Sequence, residues 1–339
     1  MIKLFHRDIV TQAVLIVAAL LLLWGPALLV PPPVEVGDHP AVLYGLVCKA
    51  MTHLPRLAVA IAMLLVLAEG VMLNLLLANV NLVSQNSLLP TLLYIIAMSA
   101  GTASLTPLIL VNGAVIACLH YLLLRGTLLT IPPEKICGAT LLIGVATMCY
   151  QPALLLMLSY LLIASSYRLY DWKDWMLMLL GFAAPYLLLV TVLYLTNGLS
   201  DWWNESRAIF TDISLRFRFS SLASTLATLF LAVVFLWSLF SVLGRMGERP
   251  VVWQRNASTV LLIVVGGLGM LFFNHFSPAS GLENPIGVFS CLAVPFAFAL
   301  YRLLAAALEK RSSYGRGRKQ RSWPYDLLLT SLLIAAILC

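Results

Sequence analysis

Charge is what this chain has least of. Of its 339 residues 10% are charged and 61% are hydrophobic, against about a quarter charged in a soluble globular domain. A soluble protein of 37.1 kDa has no core large enough to hide that much apolar surface, so lipid has to act as its solvent. Grouped cysteines are also missing. Cys48, Cys118, Cys137, Cys149, Cys291 and Cys339 stand singly, which argues against a disulfide framework or a paired-cysteine metal site. No Walker, GxSxG or HExxH sequence occurs, so ATP-driven transport and soluble-type hydrolysis have no motif to rest on. No soluble domain, low-complexity tract or clear internal repeat is visible.

What the chain does have is a series of apolar runs of about 15–25 residues without alternation. Within a bilayer each backbone N–H and C=O must be satisfied inside the element, which leaves helices or a closed barrel. The lack of a period-two pattern decides for helices. The expected fold is therefore all-α, a polytopic transmembrane bundle of about eleven spans forming a single domain over 1–339. The runs cover about 9–30, 57–80, 88–101, 107–124, 137–151, 152–167, 175–196, 219–243, 257–273, 286–308 and 325–339. The pair around Gly101 and the last run are short enough to be re-entrant or tilted.

Lys3 and Arg7 precede the first run, which ends in Pro31-Pro32-Pro33 with no small-residue cleavage site, as in an uncleaved first span. With the N-terminus in the cytoplasm, all 21 lysines and arginines fall on the inner side except Lys49, Arg56, Arg207, Arg216 and Arg218. That is the positive-inside pattern. The net charge of +7 thus resides in short inner loops, so membrane lipid is the expected partner and nucleic acid is not. The expected location is a membrane that the chain crosses many times.

Three polar regions face outward on this map. In the outer loop 31–56, Glu35, Asp38 and His39 stand among Pro and Gly ahead of an amphipathic stretch. Val42, Leu46 and Leu43, Val47 recur there at helical spacing with Lys49 and His53 opposite, which predicts a helix lying on the membrane surface. Asp38 fits either a cap of that helix or a catalytic carboxylate. The outer loop 197–218 mixes Asp201, Trp202, Trp203, Glu205, Arg207, Asp212, Arg216 and Arg218. Its tryptophans fit an interfacial belt or stacking on a sugar ring. Arg216 and Arg218 run against the sorting rule and are expected to meet an anion, either lipid phosphate or Asp212. The third region holds His275 and Glu283. Glu69 lies near the middle of the second span, where an ionised carboxylate is costly unless it is partnered or neutralised; Asn74, Asn112 and His120 share its depth. The basic loop 309–323 reads as a cytoplasmic anchor suited to anionic lipid.

Two segments carry a resemblance. Gly144-Val145-Ala146-Thr147-Met148-Cys149-Tyr150-Gln151-Pro152-Ala153 resembles the G-L-A-x-x-x-K-x-P-A stretch of GT-C-fold glycosyltransferases that use polyprenyl-phosphate sugars, the protein mannosyltransferase and aminoarabinose transferase type. Asp38-His39-Pro40-Ala41-Val42-Leu43-Tyr44 is similar to the D-x-H-P-P-L-Y-Y piece after their first span. The chain also resembles a polytopic family of Bacteroidota envelope proteins. Gln151 stands where the glycosyltransferases often have Lys, and Glu35 and Asp38 are spaced rather than adjacent. The resemblance implies a GT-C-like bundle in the inner (plasma) membrane of a bacterium, transferring a sugar from a polyprenyl-phosphate donor on the outer face of that membrane. Asp38 or Glu35 would be the general base. Arg56, Arg216 or Arg218 would hold the phosphate leaving group, Trp202 and Trp203 would stack on the sugar, and His39 and His275 would be further substrate contacts. No cofactor or metal is required, although a divalent metal would be compatible. Two alternatives stay open: a non-catalytic membrane subunit binding a lipid-linked glycan or a membrane protein partner, and a proton-coupled transporter using Glu69.

Overall fold

The computed structural model of the chain describes residues 9–32, 34, 41–83, 87–99, 104–123, 132–167, 171–211, 222–272, 287–313, 328–332 and 334–335. Among these residues there are helices and turns and no strand, so the bundle is all-α as expected. In chain order the helices are α1 (Ile9–Leu29), α2 (Val42–Met51), α3 (Pro55–Asn79), α4 (Leu89–Ser99), α5 (Pro107–Leu123), α6 (Pro133–Cys149), α7 (Leu156–Ser166), α8 (Trp172–Leu195), α9 (Leu199–Thr211), α10 (Leu222–Arg245), α11 (Val251–Phe272), α12 (Gly287–Cys291) and α13 (Ala293–Ser313). Among the described residues five stretches are long and apolar enough to cross a membrane: Ile9–Leu29, Pro55–Asn79, Trp172–Leu195, Thr225–Glu248 and Val251–Leu271. The other helices are shorter except α13, which is as long as α1 but ends in the charged stretch Glu309–Arg311, and most of the expected 325–339 run lies outside the described residues.

α4 occupies the centre. All eleven of its residues are buried, against α1, α3, α12 and α13. At 1.5 Å per residue it is about 16 Å long, roughly half of the hydrocarbon thickness. α1 touches this centre by one stripe, Gln12, Ile16, Leu20 and Trp24, each four residues from the last. The two polar members fix the register. The Leu88 amide donates to Gln12 Oε1 at 2.8 Å, and the Trp24 indole N–H donates to Ser99 Oγ at 2.8 Å. Both ends of α4 are thereby tied to the matching ends of α1, so the two helices run parallel. The remaining faces of α1 expose Val14, Leu21 and Leu22, the surface a lipid-facing helix presents.

Several boundaries differ from the sequence expectation. α11 begins at Val251, inside what reads as a polar loop, directly after Pro250. Arg255 is carried into that helix because its guanidinium settles 4.8 Å from the Tyr167 ring centroid. The 286–308 run is broken between α12 and α13 at Leu292. Pro295 lies three residues beyond, and its ring cannot coexist with a helical carbonyl at residue 291. α2 forms where the amphipathic pattern predicts a helix; it buries Tyr44 and Cys48 against the bundle and leaves Leu43 and Leu46 exposed. The Tyr44 hydroxyl donates to the Leu105 carbonyl at 2.9 Å, which pins that face to the start of α5. Burial pushes the Cys48 thiol pKa up, against the pull of a hydrogen bond with Tyr44.

Lipid does not drive apolar helices together as water does, so close approach and interhelical hydrogen bonds matter more. α6 and α8 meet through Gly144 and Gly181. A Cβ on Gly144 would sit 2.6 Å from Pro185 Cγ. A Cβ on Gly181 would press on the Thr140 hydroxyl and lie 2.5 Å from the Cys137 carbonyl oxygen. Only glycine permits that separation.

Candidate functional site

α6 ends at Cys149, Tyr150 turns extended, and Gln151 opens a 3-10 turn over Gln151–Leu155 with Pro152 near its start. The turn directs the Gln151 side chain inward. Beside it runs α8, held close by the two glycines, and the Tyr186 hydroxyl of α8 donates to Thr147 Oγ1 of α6 at 2.8 Å.

α8 closes with a Schellman motif. Asn197 takes the left-handed conformation at φ 55°, its amide donates to the Tyr194 carbonyl at 3.2 Å, and the Gly198 amide reaches the Leu193 carbonyl at 2.9 Å. The chain reverses there and α9 begins at once, with the Trp202 amide donating to the Gly198 carbonyl at 3.1 Å. The segment expected as a loop is therefore, over Leu199–Thr211, an amphipathic helix. Trp202, Trp203, Ser206 and Arg207 share one of its faces, at the i, i+1, i+4 and i+5 spacing of a helical stripe.

That face closes a cavity of about 400 Å³ lined by Gln151, Leu154, Tyr186, Trp202, Trp203, Ser206 and Arg207. The Tyr186 and Trp202 ring centroids are 6.5 Å apart at 53°. Gln151 Nε2 donates to Ser206 Oγ at 2.7 Å and bridges the turn to α9. Gln151 Oε1 is buried and receives no hydrogen bond from the described residues. Arg207 is the single cation among the described residues of the lining. A flat apolar ring can lie against the indoles, an anion can meet the guanidinium fork, and a polar group can meet the amide.

Of the residues named in the sequence as candidates for binding, the structure brings Trp202 and Trp203 together here; it joins to them Gln151 and Arg207, which are named there without a binding role, and adds Tyr186 and Ser206. Arg56, in the exposed first turn of α3, does not line the cavity. Glu35, Asp38, His39, Arg216, Arg218 and His275 lie outside the described residues. Had 199–207 been read as a helix, the stripe spacing would have pointed to Ser206 and Arg207. No local signal places Gln151 or Tyr186 beside them.

Glu69 forms a separate polar point. It is 7% exposed, and the Tyr94 hydroxyl of α4 donates to its Oε2 at 2.7 Å. Gly113 of α5 leaves room for the carboxyl, since a Cβ there would be 2.8 Å from Oε1. None of the three residues at matching depth bonds it. Asn112 donates instead to the Ser290 carbonyl at 2.8 Å, and His120 is exposed. Among the described residues no group of three or more His, Cys, Asp or Glu side chains could hold a metal ion.

No protein-family model, curated protein or solved structure matches the chain. The chemistry of the cavity is the basis for a functional reading.

Proposed function

We propose that the protein is a GT-C-like membrane protein of cell-envelope glycan assembly, which binds a polyprenyl-phosphate sugar in the α6–α8–α9 cavity and transfers the sugar on the outer face of the bacterial inner membrane. The observation that carries this reading is the grouping of two indoles, a phenol and a single guanidinium around about 400 Å³ at one end of a membrane bundle. That volume is in the range of small-molecule sites. The aromatic faces suit a sugar ring. Arg207 suits a phosphate, on which negative charge grows as the glycosidic bond breaks. Asp38 or Glu35 would take the proton of the acceptor hydroxyl as its oxygen attacks the anomeric carbon, and the lipid phosphate would leave with the bonding electron pair. These acids precede α2, and α2 docks by Tyr44 at the start of α5. In an alternating bundle that is the same end as the close of α6.

The test is binding and transfer with purified protein in lipid nanodiscs and a polyprenyl-phosphate sugar. R207Q is expected to weaken binding about tenfold or more. D38N combined with E35Q is expected to abolish transfer and leave binding intact. Unchanged transfer in that double variant removes the proposed base. One observation favours a second reading, a non-catalytic subunit that holds a lipid-linked glycan: the described lining contains no Asp, Glu or His. Binding by the natural protein without any transfer would select it.

A further inference from the structure

Gln151 is 8% exposed, and its amide is only half satisfied. Nε2 donates to Ser206 Oγ at 2.7 Å, while Oε1 is buried without a donor. Buried acceptors left bare are rare in folded proteins and ask for an explanation. Ser206 uses its oxygen to accept from Gln151, and its hydroxyl proton goes to no acceptor among the described residues. Gln151 and Ser206 stand side by side in one wall of the cavity, with an acceptor buried within that wall and a hydroxyl donor next to it. Phosphate and ether oxygens only accept and an ammonium only donates, whereas a hydroxyl does both. Arg207 follows Ser206 on the same face and supplies the charge for an anion, and Leu154 and Trp203 supply apolar walls.

We infer that the Gln151–Ser206 pair reads a hydroxyl of the ligand headgroup, so that the cavity prefers a phosphate-bearing lipid with a hydroxylated headgroup over the bare lipid phosphate. The inference rests on the binding reading above and adds the source of its selectivity. Sites built to hydrogen-bond a hydroxyl discriminate against the analogue lacking it, because their own buried groups are then left bare. A sugar on polyprenyl phosphate and the glycerol of phosphatidylglycerol share this chemistry.

The experiment compares the affinities of farnesyl phosphate and farnesyl phosphate glucose for the full-length protein in nanodiscs. A parallel arm compares phosphatidic acid and phosphatidylglycerol by native mass spectrometry. The natural protein is expected to hold the glucose-bearing probe about tenfold tighter than farnesyl phosphate. Q151L is expected to erase that preference, with its melting temperature beside that of the natural protein reporting that the fold is intact. Should Q151L weaken both probes, S206A decides: a lost preference supports the inference and a retained one overturns it. A preference retained in both variants, or absent from the natural protein, overturns the inference while binding still supports the proposed function. A Gln151-dependent preference seen only for phosphatidylglycerol supports the hydroxyl reader and overturns the polyprenyl donor. Failure of the natural protein to bind any probe overturns both.

Discussion

The Glu69–Tyr94 and Gln151–Ser206 pairs are each a single 2.7 Å hydrogen bond between side chains of different elements, set in opposite surroundings. Tyr94 is fully buried on the central helix, and the Glu69 carboxyl lies against Gly113 with no ion pair to any described residue. The Gln151 amide stands on the wall of an open cavity with one oxygen unanswered. A polar group that the protein surrounds with its own atoms acts on packing. A polar group left bare in the wall of a cavity acts on whatever fills that cavity. The contrast separates a structural contact from a binding one without reference to chain position.

The contrast can be broken most forcefully at the helix contact beneath the cavity. Gly181→Leu should drive α8 away from Cys137 and Thr140, costing about 3 kcal/mol or more. Thermal unfolding in detergent would register the loss, and ligand binding should fall with it because α8 carries Tyr186 and leads into α9. Next in size, Tyr94→Phe leaves the Glu69 carboxyl without its one donor and should destabilise by about 1–3 kcal/mol. Glu69→Gln keeps an acceptor for Tyr94 and should cost less than Tyr94→Phe in the same assay. If Tyr94→Phe were neutral for stability while abolishing ligand uptake, the closed pair would be functional and the distinction wrong. Asn197→Val places a β-branched residue at φ 55° and should cost about 1–2 kcal/mol, while Asn197→Gly should be close to neutral; the pair can be ranked by melting temperature. The smallest stability effect is expected at Trp203, which is 61% exposed. Trp203→Ala should shift unfolding by no more than about 0.5 kcal/mol and still weaken ligand binding measurably.

Part of this was legible residue by residue. The apolar runs announced α3 and α8 nearly to the residue, since run length in lipid is a local property. The amphipathic stretch announced α2, but not its docked face, because Tyr44 is polar at its tip and apolar along its body, and the Leu105 carbonyl that receives it lies far along the chain. The span ending at 308 hid its break at Leu292, which Pro295 could have signalled. In the site, Trp202 and Trp203 stood out as aromatic residues among acids. Ser206 and Arg207 did not, because α9 is too polar overall to look like a helix of this protein. Tyr94 could not be matched to Glu69 from the sequence, since nothing in either segment records that α4 passes α3 at that height.

The sequence alone determined the class of molecule, because a chain with so little charge must satisfy its backbone in lipid as helices or a closed barrel, and long apolar runs without alternation leave the helices. Which rods touch was decided by the tertiary structure. Leu188 is 72% exposed and Leu76 fully buried, yet both are leucines in apolar runs. In water the hidden face of a helix is the apolar one. In lipid both faces are apolar, so the choice passes to shape and to the few polar groups. Here these are the glycines that admit α8 to α6, the asparagine that turns α8 into α9, and the hydrogen bonds that join distant segments. The cavity exists only where those three devices meet.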